Sequence, residues 1–238
     1  MSTQKPKVLF ILTSHSKLGN SDKPTGWYLP EFAHPWHVLH PYTDITVASP
    51  TGGEAPLDPG SVQAFKEDKV STDFLNNQSD LWKKTVTIKS LLHHAKEYAA
   101  IFFVGGHGPM FDLVTDADSI ALAEEFYESG LIVSAVCHGP AALLNLKVAD
   151  GSYLIANQPV AGFTNEEEEQ GGVTSLMPFL LEDELEKKSG GKYVKGAPWT
   201  AKVVVSDDKR LITGQNPQSA TGVGEAIYES IFGKPYPK

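Results

Sequence analysis

The chain has 238 residues, of which 41% are hydrophobic and 21% charged, values typical of a soluble globular protein. This length allows one or two domains and buries enough surface for stability without disulfides or structural metals. The single cysteine, Cys137, excludes an intramolecular disulfide and a multi-cysteine metal or iron–sulfur site. The formal charge of −9 argues against nucleic acids and anionic membranes as main partners. Since no export signal or membrane-spanning run is predicted, we expect a cytoplasmic protein.

Apolar, β-branched runs predict the buried strands of a parallel sheet. The four runs are Lys7–Thr13, Asp44–Ser49, Ala99–Val104 and Leu131–Val136. Helices are predicted between and after them, at Asp118–Ser129, from Pro140 to Leu146, and from Gly224 to Phe232. A hairpin is predicted from Lys202–Val205 and Leu211–Thr213. Alternating strands and helices favour an α/β fold. We predict one domain over residues 1–238, with a polar, loop-rich insertion within about 50–85 that lies over the carboxyl edge of the sheet.

Cys137 stands where a predicted buried strand ends and a predicted helix begins. This strand–turn–helix pattern is typical of a nucleophile elbow, although the serine-type G-x-S-x-G signature is absent. A nearby helix N-terminus favours the thiolate and predicts a lowered pKa for the Cys137 thiol. His138 is a candidate general base. The alternative is a small buried cysteine without a chemical role.

A glycine-rich loop, Gly105-Gly106-His107-Gly108, follows the third predicted strand. Glycines there permit positive φ and let backbone N–H groups face a ligand or a developing oxyanion. The loop lacks the spacing of a nucleotide-binding motif, and it could also be a plain turn. Beside the cysteine strand it becomes a candidate oxyanion hole.

Glu31 lies among aromatic and aliphatic residues near the start of a predicted helix. Apolar surroundings would raise the pKa of its carboxyl, whereas an exposed glutamate at a helix terminus is the alternative. His34, His37 and His40 follow at intervals of three, but this spacing drifts around a helix and is interrupted by prolines. We therefore predict no metal site there.

Four consecutive glutamates, Glu166–Glu169, follow Gly162-Phe163-Thr164. Such a run is usually a solvated helix face. A cysteine–histidine pair, however, needs a carboxylate or amide to orient the imidazole, and one of the four could supply it. Their spacing does not distinguish among them.

These motifs together resemble the ThiJ/PfpI superfamily, and within it the branch of heat-shock chaperone-like proteins and glutathione-independent glyoxalases (glyoxalase III). The resemblance spans Val8 to about Phe232 and includes a C-terminal motif at Leu211–Ser219. It implies a flavodoxin-like three-layer α/β sandwich with a mostly parallel central sheet, of the class I glutamine amidotransferase-like type, with loop and hairpin embellishments.

The resemblance also implies roles for site residues. Cys137 would be the nucleophile, His138 its histidine and Glu31 the acidic partner. Counting six positions from Gly162 puts the third triad member on Glu168, with its neighbours in the run as alternatives. The backbone amides of Gly106 and His138 would form the oxyanion site, with Gly105 and His107 in the same loop.

The implied activity is a lyase (D-lactate dehydratase) reaction that converts methylglyoxal to D-lactate, and glyoxal to glycolate, without glutathione, metal or cofactor. The partners implied are a small 2-oxoaldehyde and a second copy in a homodimer, and in a eukaryote the nucleus would be a second location. Two alternatives stay open: a stress-response holdase chaperone or redox sensor, and a cysteine amidase or peptidase on the same scaffold.

Overall fold

A computed structural model describes residues 5–237. Seven strands form one sheet: β1 (Lys7–Ile11), β2 (Asp44–Ser49), β3 (Val86–Thr87), β4 (Ala100–Phe103), β5 (Ile132–Val136), β6 (Val203–Ser206) and β7 (Leu211–Gly214). Their order across the sheet is β3-β2-β1-β4-β5-β7-β6, and every neighbouring pair is parallel except β6 with β7. The predicted strands and hairpin are thus confirmed, and so is the flavodoxin-like α/β fold.

Eight α-helices accompany the described strands: α1 (Leu29–Leu39), α2 (Pro59–Ala64), α3 (Lys69–Asn77), α4 (Asp80–Lys83), α5 (Ala117–Glu128), α6 (Asn165–Gln170), α7 (Leu181–Ser189) and α8 (Ala220–Phe232). Helix α8 packs on α1, β5 and β7, whereas α5 packs on β4 and β5. Successive side chains of a strand point to opposite faces, and all five residues of β5 are buried, so both faces of this strand are covered.

The sheet reverses its order between β1 and β4, since β2 and β3 extend to one side and β5, β7 and β6 to the other. Ligands of open α/β sheets bind at the carboxyl ends of the strands near such a switch point. The loop after β4 and the turn after β5, which carry the glycine-rich motif and Cys137, lie at this edge.

The segment Pro56–Lys84 was predicted to be loop-rich, which is wrong, because it contains three short helices; that it is an insertion stays a prediction. Asp58 caps α2 by accepting hydrogen bonds from the backbone N–H groups of Gly60 and Ser61, and Asp68 caps α3 through Ser71. Aspartate at the N-cap satisfies otherwise unpaired N–H groups, so short polar stretches can be helical.

The helix prediction from Pro140 to Leu146 was also wrong, because the chain forms a single 3₁₀ stretch there, Gly139–Leu143. Helix α1 continues through Pro35, because its buried apolar face outweighs the loss of one N–H. Helix α8 begins at Ala220, earlier than predicted.

Arg210, the only arginine in the sequence, anchors the β6–β7 hairpin to α5. Its guanidinium lies 4.5 Å from the ring centroid of Tyr127, donates to the Tyr127 carbonyl, and forms an ion pair with Asp207. No helix within residues 5–237 has the length and apolar character needed to cross a membrane.

Candidate active site

Cys137 occupies a strained backbone position directly after β5. Its φ is +60°, in the left-handed region that non-glycine residues rarely adopt. Its N–H donates to the Gly214 carbonyl at 2.9 Å, and its own carbonyl accepts from the N–H of Phe163 at 2.9 Å. Strain of this kind costs about 1–3 kcal/mol and persists where surrounding bonds enforce it. The predicted nucleophile-elbow geometry is therefore present, with the thiol at the carboxyl edge of the sheet.

His138 connects the thiol to a carboxylate. Its Nδ1 lies 3.3 Å from Cys137 Sγ, and its Nε2 lies 2.6 Å from Glu168 Oε2. Burial lowers the pKa of His138, and the nearby His107 reinforces this effect against the opposing influence of Glu168. A neutral His138 therefore donates its Nε2–H to Glu168, and the Nδ1 lone pair faces the thiol.

Glu168 bridges two histidines. Its Oε1 accepts a hydrogen bond from His107 Nε2 at 2.8 Å, in addition to the bond from His138. Burial alone would raise the pKa of Glu168, but the charges and hydrogen bonds of His138 and His107 hold it well below its usual range. Of the four candidate glutamates, the structure thus brings Glu168 to the cysteine–histidine pair.

The same three residues could hold a metal ion, because His107, His138 and Glu168 offer ligand atoms within 4.8 Å of one another. Both carboxylate oxygens already accept a histidine N–H, and a metal would have to replace these bonds. The absence of a metal from the reaction stays a prediction.

Glu167 holds α6 in the orientation that turns Glu168 inward, a role that the sequence reasoning missed. It forms a reciprocal capping box with Thr164 and accepts hydrogen bonds from Asn216 Nδ2 and the Trp199 N–H, both at 2.8 Å. The four-residue pattern Thr164-x-x-Glu167 is the signal that could have revealed it. Glu166 and Glu169, by contrast, are exposed.

Glu31 is fully buried in the first turn of α1 beside Cys137. Neither of its carboxyl oxygens has a hydrogen-bond partner of good geometry among residues 5–237. Burial raises the pKa of Glu31 well above its ordinary value, and the neighbouring thiol and the Gly105 N–H oppose this only in part. The raised pKa agrees with the sequence prediction and makes this side chain a proton carrier at neutral pH.

The predicted lowering of the Cys137 pKa is wrong. Burial raises the pKa of the thiol, and the negative charge of Glu31, when ionised, raises it further, whereas the Gly106 N–H lowers it. A five-residue 3₁₀ segment follows the cysteine, so the full helix dipole on which the prediction rested is missing. Because two adjacent buried groups cannot both be charged, Cys137 and Glu31 together retain at least one proton at neutral pH.

The loop after β4 requires glycine at two positions. A Cβ on Gly105 would lie 2.3 Å from Glu31 Oε2 and 2.8 Å from Cys137 Cβ. Gly106 has φ of +97°, and a Cβ there would lie 2.2 Å from the Gly26 carbonyl oxygen. The predicted candidate oxyanion loop therefore lies against the thiol and the buried carboxyl.

A cavity of about 280 Å³ opens above Cys137. His107 and Glu168 line it, as do the aromatic residues Tyr28 and Trp199. Two other aromatic residues do not line it, since Trp27 is in the core and Phe111 stacks on His15. Phe163 packs on His138 with ring centroids 4.4 Å apart.

The three histidines of α1 lie outside this cavity. His34 bonds to Asp68 Oδ2 at 2.8 Å and to Thr221 Oγ1 at 2.9 Å, and His40 stacks on Trp36. They do not converge on one another as ligands among the described residues.

Comparison with known proteins decides the family. The profile of the DJ-1/PfpI family matches residues 29–230. The chain belongs to the DJ-1/PfpI family. Glyoxalase 3 of Candida albicans is a relative that is 35% identical over 93% of this chain and 96% of its own. Glutathione-independent glyoxalase HSP31 of Saccharomyces cerevisiae is 33% identical over 90% of this chain and 93% of its own. The crystal structure of Rapid Encystment Protein 24 KDa from Francisella tularensis superimposes with a TM-score of 0.88 at 38% identity, covering 95% of this chain and 99% of that one. These likenesses confirm the resemblance to glyoxalase-type members of the family that the sequence motifs indicate.

Proposed function

We propose that this protein is an enzyme of the glyoxalase III type, a lyase that converts methylglyoxal to D-lactate, and glyoxal to glycolate, without glutathione. The observation that carries the proposal is the placement of a neutral His138 Nδ1 3.3 Å from Cys137 Sγ, with the buried Glu31 carboxyl beside the same sulfur. The names of the relatives from two yeasts support it.

The first step joins the thiol to the substrate. The thiolate of Cys137 adds to the aldehyde carbon of methylglyoxal, the C–O π bond breaks, and a hemithioacetal oxyanion forms. The proton of the thiol passes to His138 Nδ1, and the Glu168 carboxylate at Nε2 stabilises the resulting imidazolium. We propose that the backbone N–H groups of Gly106 and His138 donate to the oxyanion.

The second step moves a hydrogen between adjacent carbons. Glu31, protonated at neutral pH, would first give its proton to the hemithioacetal oxyanion, and its carboxylate would then remove the C1 proton, giving an enediolate. The acid so formed would return that proton to C2, and the proton of the C1 hydroxyl would pass to the C2 oxygen. C1 is thereby oxidised to a thioester while C2 is reduced to a secondary alcohol, so the reaction balances without an external oxidant. Water then hydrolyses the thioester, releasing lactate and regenerating the thiol.

The test uses purified protein, methylglyoxal and no glutathione, with D-lactate measured enzymatically. We expect turnover by the wild type and none by Cys137→Ala. The matched control is Ser134→Ala, at a β5 position whose hydroxyl bonds to the Ile101 carbonyl away from the cavity. Absence of D-lactate with the wild type, or equal rates with Cys137→Ala, would overturn the proposal.

The peptidase alternative is disfavoured by the shape of the site. A peptide substrate needs an open groove, whereas the cavity above Cys137 has about 280 Å³ and Glu31 lies buried against the thiol. The homodimer and the cytoplasmic location stay predictions, which light scattering and fractionation of cells can test.

A further inference from the structure

The cavity above Cys137 is larger than the proposed substrate needs. Each water molecule of the liquid takes about 30 Å³, so a cavity of about 280 Å³ has the volume of roughly nine non-hydrogen atoms. By the same measure methylglyoxal fills about half of it. About half of the cavity volume would therefore remain available to a larger substituent of the substrate.

Part of the cavity wall is apolar and is assembled from separate segments of the chain. Its side chains are those of Leu18, Tyr28, Phe163, Val173, Trp199 and Pro217. Such convergence of apolar and aromatic groups around a few polar ones is the usual make-up of a site for an organic ligand. Burial of an apolar substituent here would therefore favour binding.

Trp199 is the most distinctive part of this wall. It has φ of +58°, which is unfavourable for a bulky residue, and its backbone N–H donates to Glu167 Oε1 at 2.8 Å. Its indole lies 5.6 Å from the ring of Phe163 at 70°, and its Nε1–H donates to Gln170. Although 41% exposed, this side chain is thus held in place at the cavity wall, on a ring that itself packs on His138.

The charge of the cavity selects against anions. Its ionisable side chains include Glu31, Asp58 and Glu168, and none of the lining residues within 5–237 is a lysine or an arginine. A substrate carboxylate or phosphate would meet negative charge without a cation to pair with, which costs free energy in a partly desolvated site.

We infer that the preferred substrates are uncharged 2-oxoaldehydes whose second carbonyl carries an apolar group of about phenyl size, with Trp199 as the residue that determines this specificity. The inference rests on the proposed function and concerns the same thiol. Phenylglyoxal is the probe, because its ten non-hydrogen atoms come close to the roughly nine that the cavity volume corresponds to, whereas methylglyoxal has five.

The experiment measures kcat/KM for methylglyoxal and phenylglyoxal with wild type, Trp199→Ala, Trp199→Phe and Tyr153→Ala. Tyr153 is an exposed aromatic residue outside the cavity and serves as the matched control. We expect the phenylglyoxal-to-methylglyoxal ratio to exceed one in the wild type, to fall about tenfold in Trp199→Ala, and to be retained in Trp199→Phe and Tyr153→Ala. Circular dichroism and melting temperature verify that each variant is folded.

A charge-matched comparison completes the test. We expect 4-carboxyphenylglyoxal to have kcat/KM at least about tenfold below that of phenylglyoxal in the wild type. A wild-type ratio below one, a ratio unchanged in Trp199→Ala, or equal rates for the two aryl substrates would overturn the inference. Failure of the wild type with methylglyoxal as well would instead overturn the proposed function, so the two failures are distinguishable.

Discussion

Replacement of Glu168 by glutamine should greatly lower the reactivity of the Cys137 thiol while preserving the shape of the side chain at position 168. The carboxylate accepts hydrogen bonds from His138 Nε2 at 2.6 Å and from His107 Nε2 at 2.8 Å. A glutamine amide has one oxygen acceptor and one N–H₂ donor, so only one histidine can still donate to it. If the amide N–H₂ faces His138, the imidazole proton moves to Nδ1 and the lone pair that faces Cys137 is lost.

The magnitude follows from the two bonds. Each hydrogen bond to a charged group contributes about 1.5–3 kcal/mol, and one between neutral groups about 0.5–1.5 kcal/mol. Glutamine loses one of the two bonds and makes the other a neutral one, a total loss of about 2.5–4.5 kcal/mol. Since about 1.4 kcal/mol corresponds to a tenfold change in rate, loss of this support in the transition state predicts a fall in kcat of about 10²–10³-fold. The physical reason for this fall in kcat is that, in Glu168→Gln, the imidazolium formed when the thiol is deprotonated has lost its counter-charge.

The assay is D-lactate formation from methylglyoxal, with Glu169→Gln as the control, because that glutamate is the exposed neighbour of Glu168 on α6. Stability adds an independent measurement. The folded pKa of Glu168 lies below the usual 4.5, so its ionised form stabilises the fold above about pH 4.5 and this contribution is lost on acidification. Urea unfolding of Glu168→Gln should therefore depend less on pH below 4.5 than that of wild type. A kcat within about threefold of the Glu169→Gln value would refute the reasoning.

Three further changes have defined outcomes. The pKa of Glu31 in the folded protein is raised above its usual 4.5, so the stability that its protonated form contributes is lost as pH rises toward that raised pKa. In urea unfolding, Glu31→Gln should therefore become more stable relative to wild type from pH 5 to pH 8. A stability difference between the two proteins that stays constant over this range would contradict the prediction. Gly105→Ala forces a methyl to within 2.3 Å of Glu31 Oε2, so we expect kcat to fall by about 10²-fold or more, and wild-type activity would show that the loop can move. Glu167→Ala leaves the donors of Asn216 and Trp199 unpaired, so urea unfolding should show a loss of about 2–4 kcal/mol; a loss below about 1 kcal/mol would mean that water replaces the carboxylate.

The strands and the thiol could be predicted because their signals are local. A run such as Ile132–Val136 is apolar without interruption, and a strand buried on both faces needs that composition. Cys137 and His138 follow it directly, so their place at the sheet edge required no long-range information. The three short helices of Pro56–Lys84 were missed although Asp58 and Asp68 are ordinary N-cap residues, because the polar composition around them outweighed those signals.

The electrostatics of the site could not be predicted, because they depend on contacts between distant segments. The sequence places Cys137 before a helical turn, which suggests a lowered pKa, but burial of the thiol itself, followed by the adjacent Glu31, raises the pKa instead. Likewise the identity of the orienting glutamate depends on α6, where the capping box fixes which side chains of Glu166–Glu169 face inward. The spacing of Glu166–Glu169 alone could not identify this glutamate. The family resemblance could, because it places the residue six positions after Gly162, which is Glu168.

The packing of Arg210 acquires a chemical meaning from the proposed substrate. Guanidinium groups condense with adjacent carbonyls, so a protein that handles 2-oxoaldehydes is a target of its own substrate. This chain has one arginine among its 20 basic residues of the Lys and Arg types. That guanidinium is stacked on Tyr127 and paired with Asp207, and it is not among the residues that line the cavity. The molecule thus offers the proposed substrate a single arginine, already engaged in stacking and an ion pair, for this side reaction.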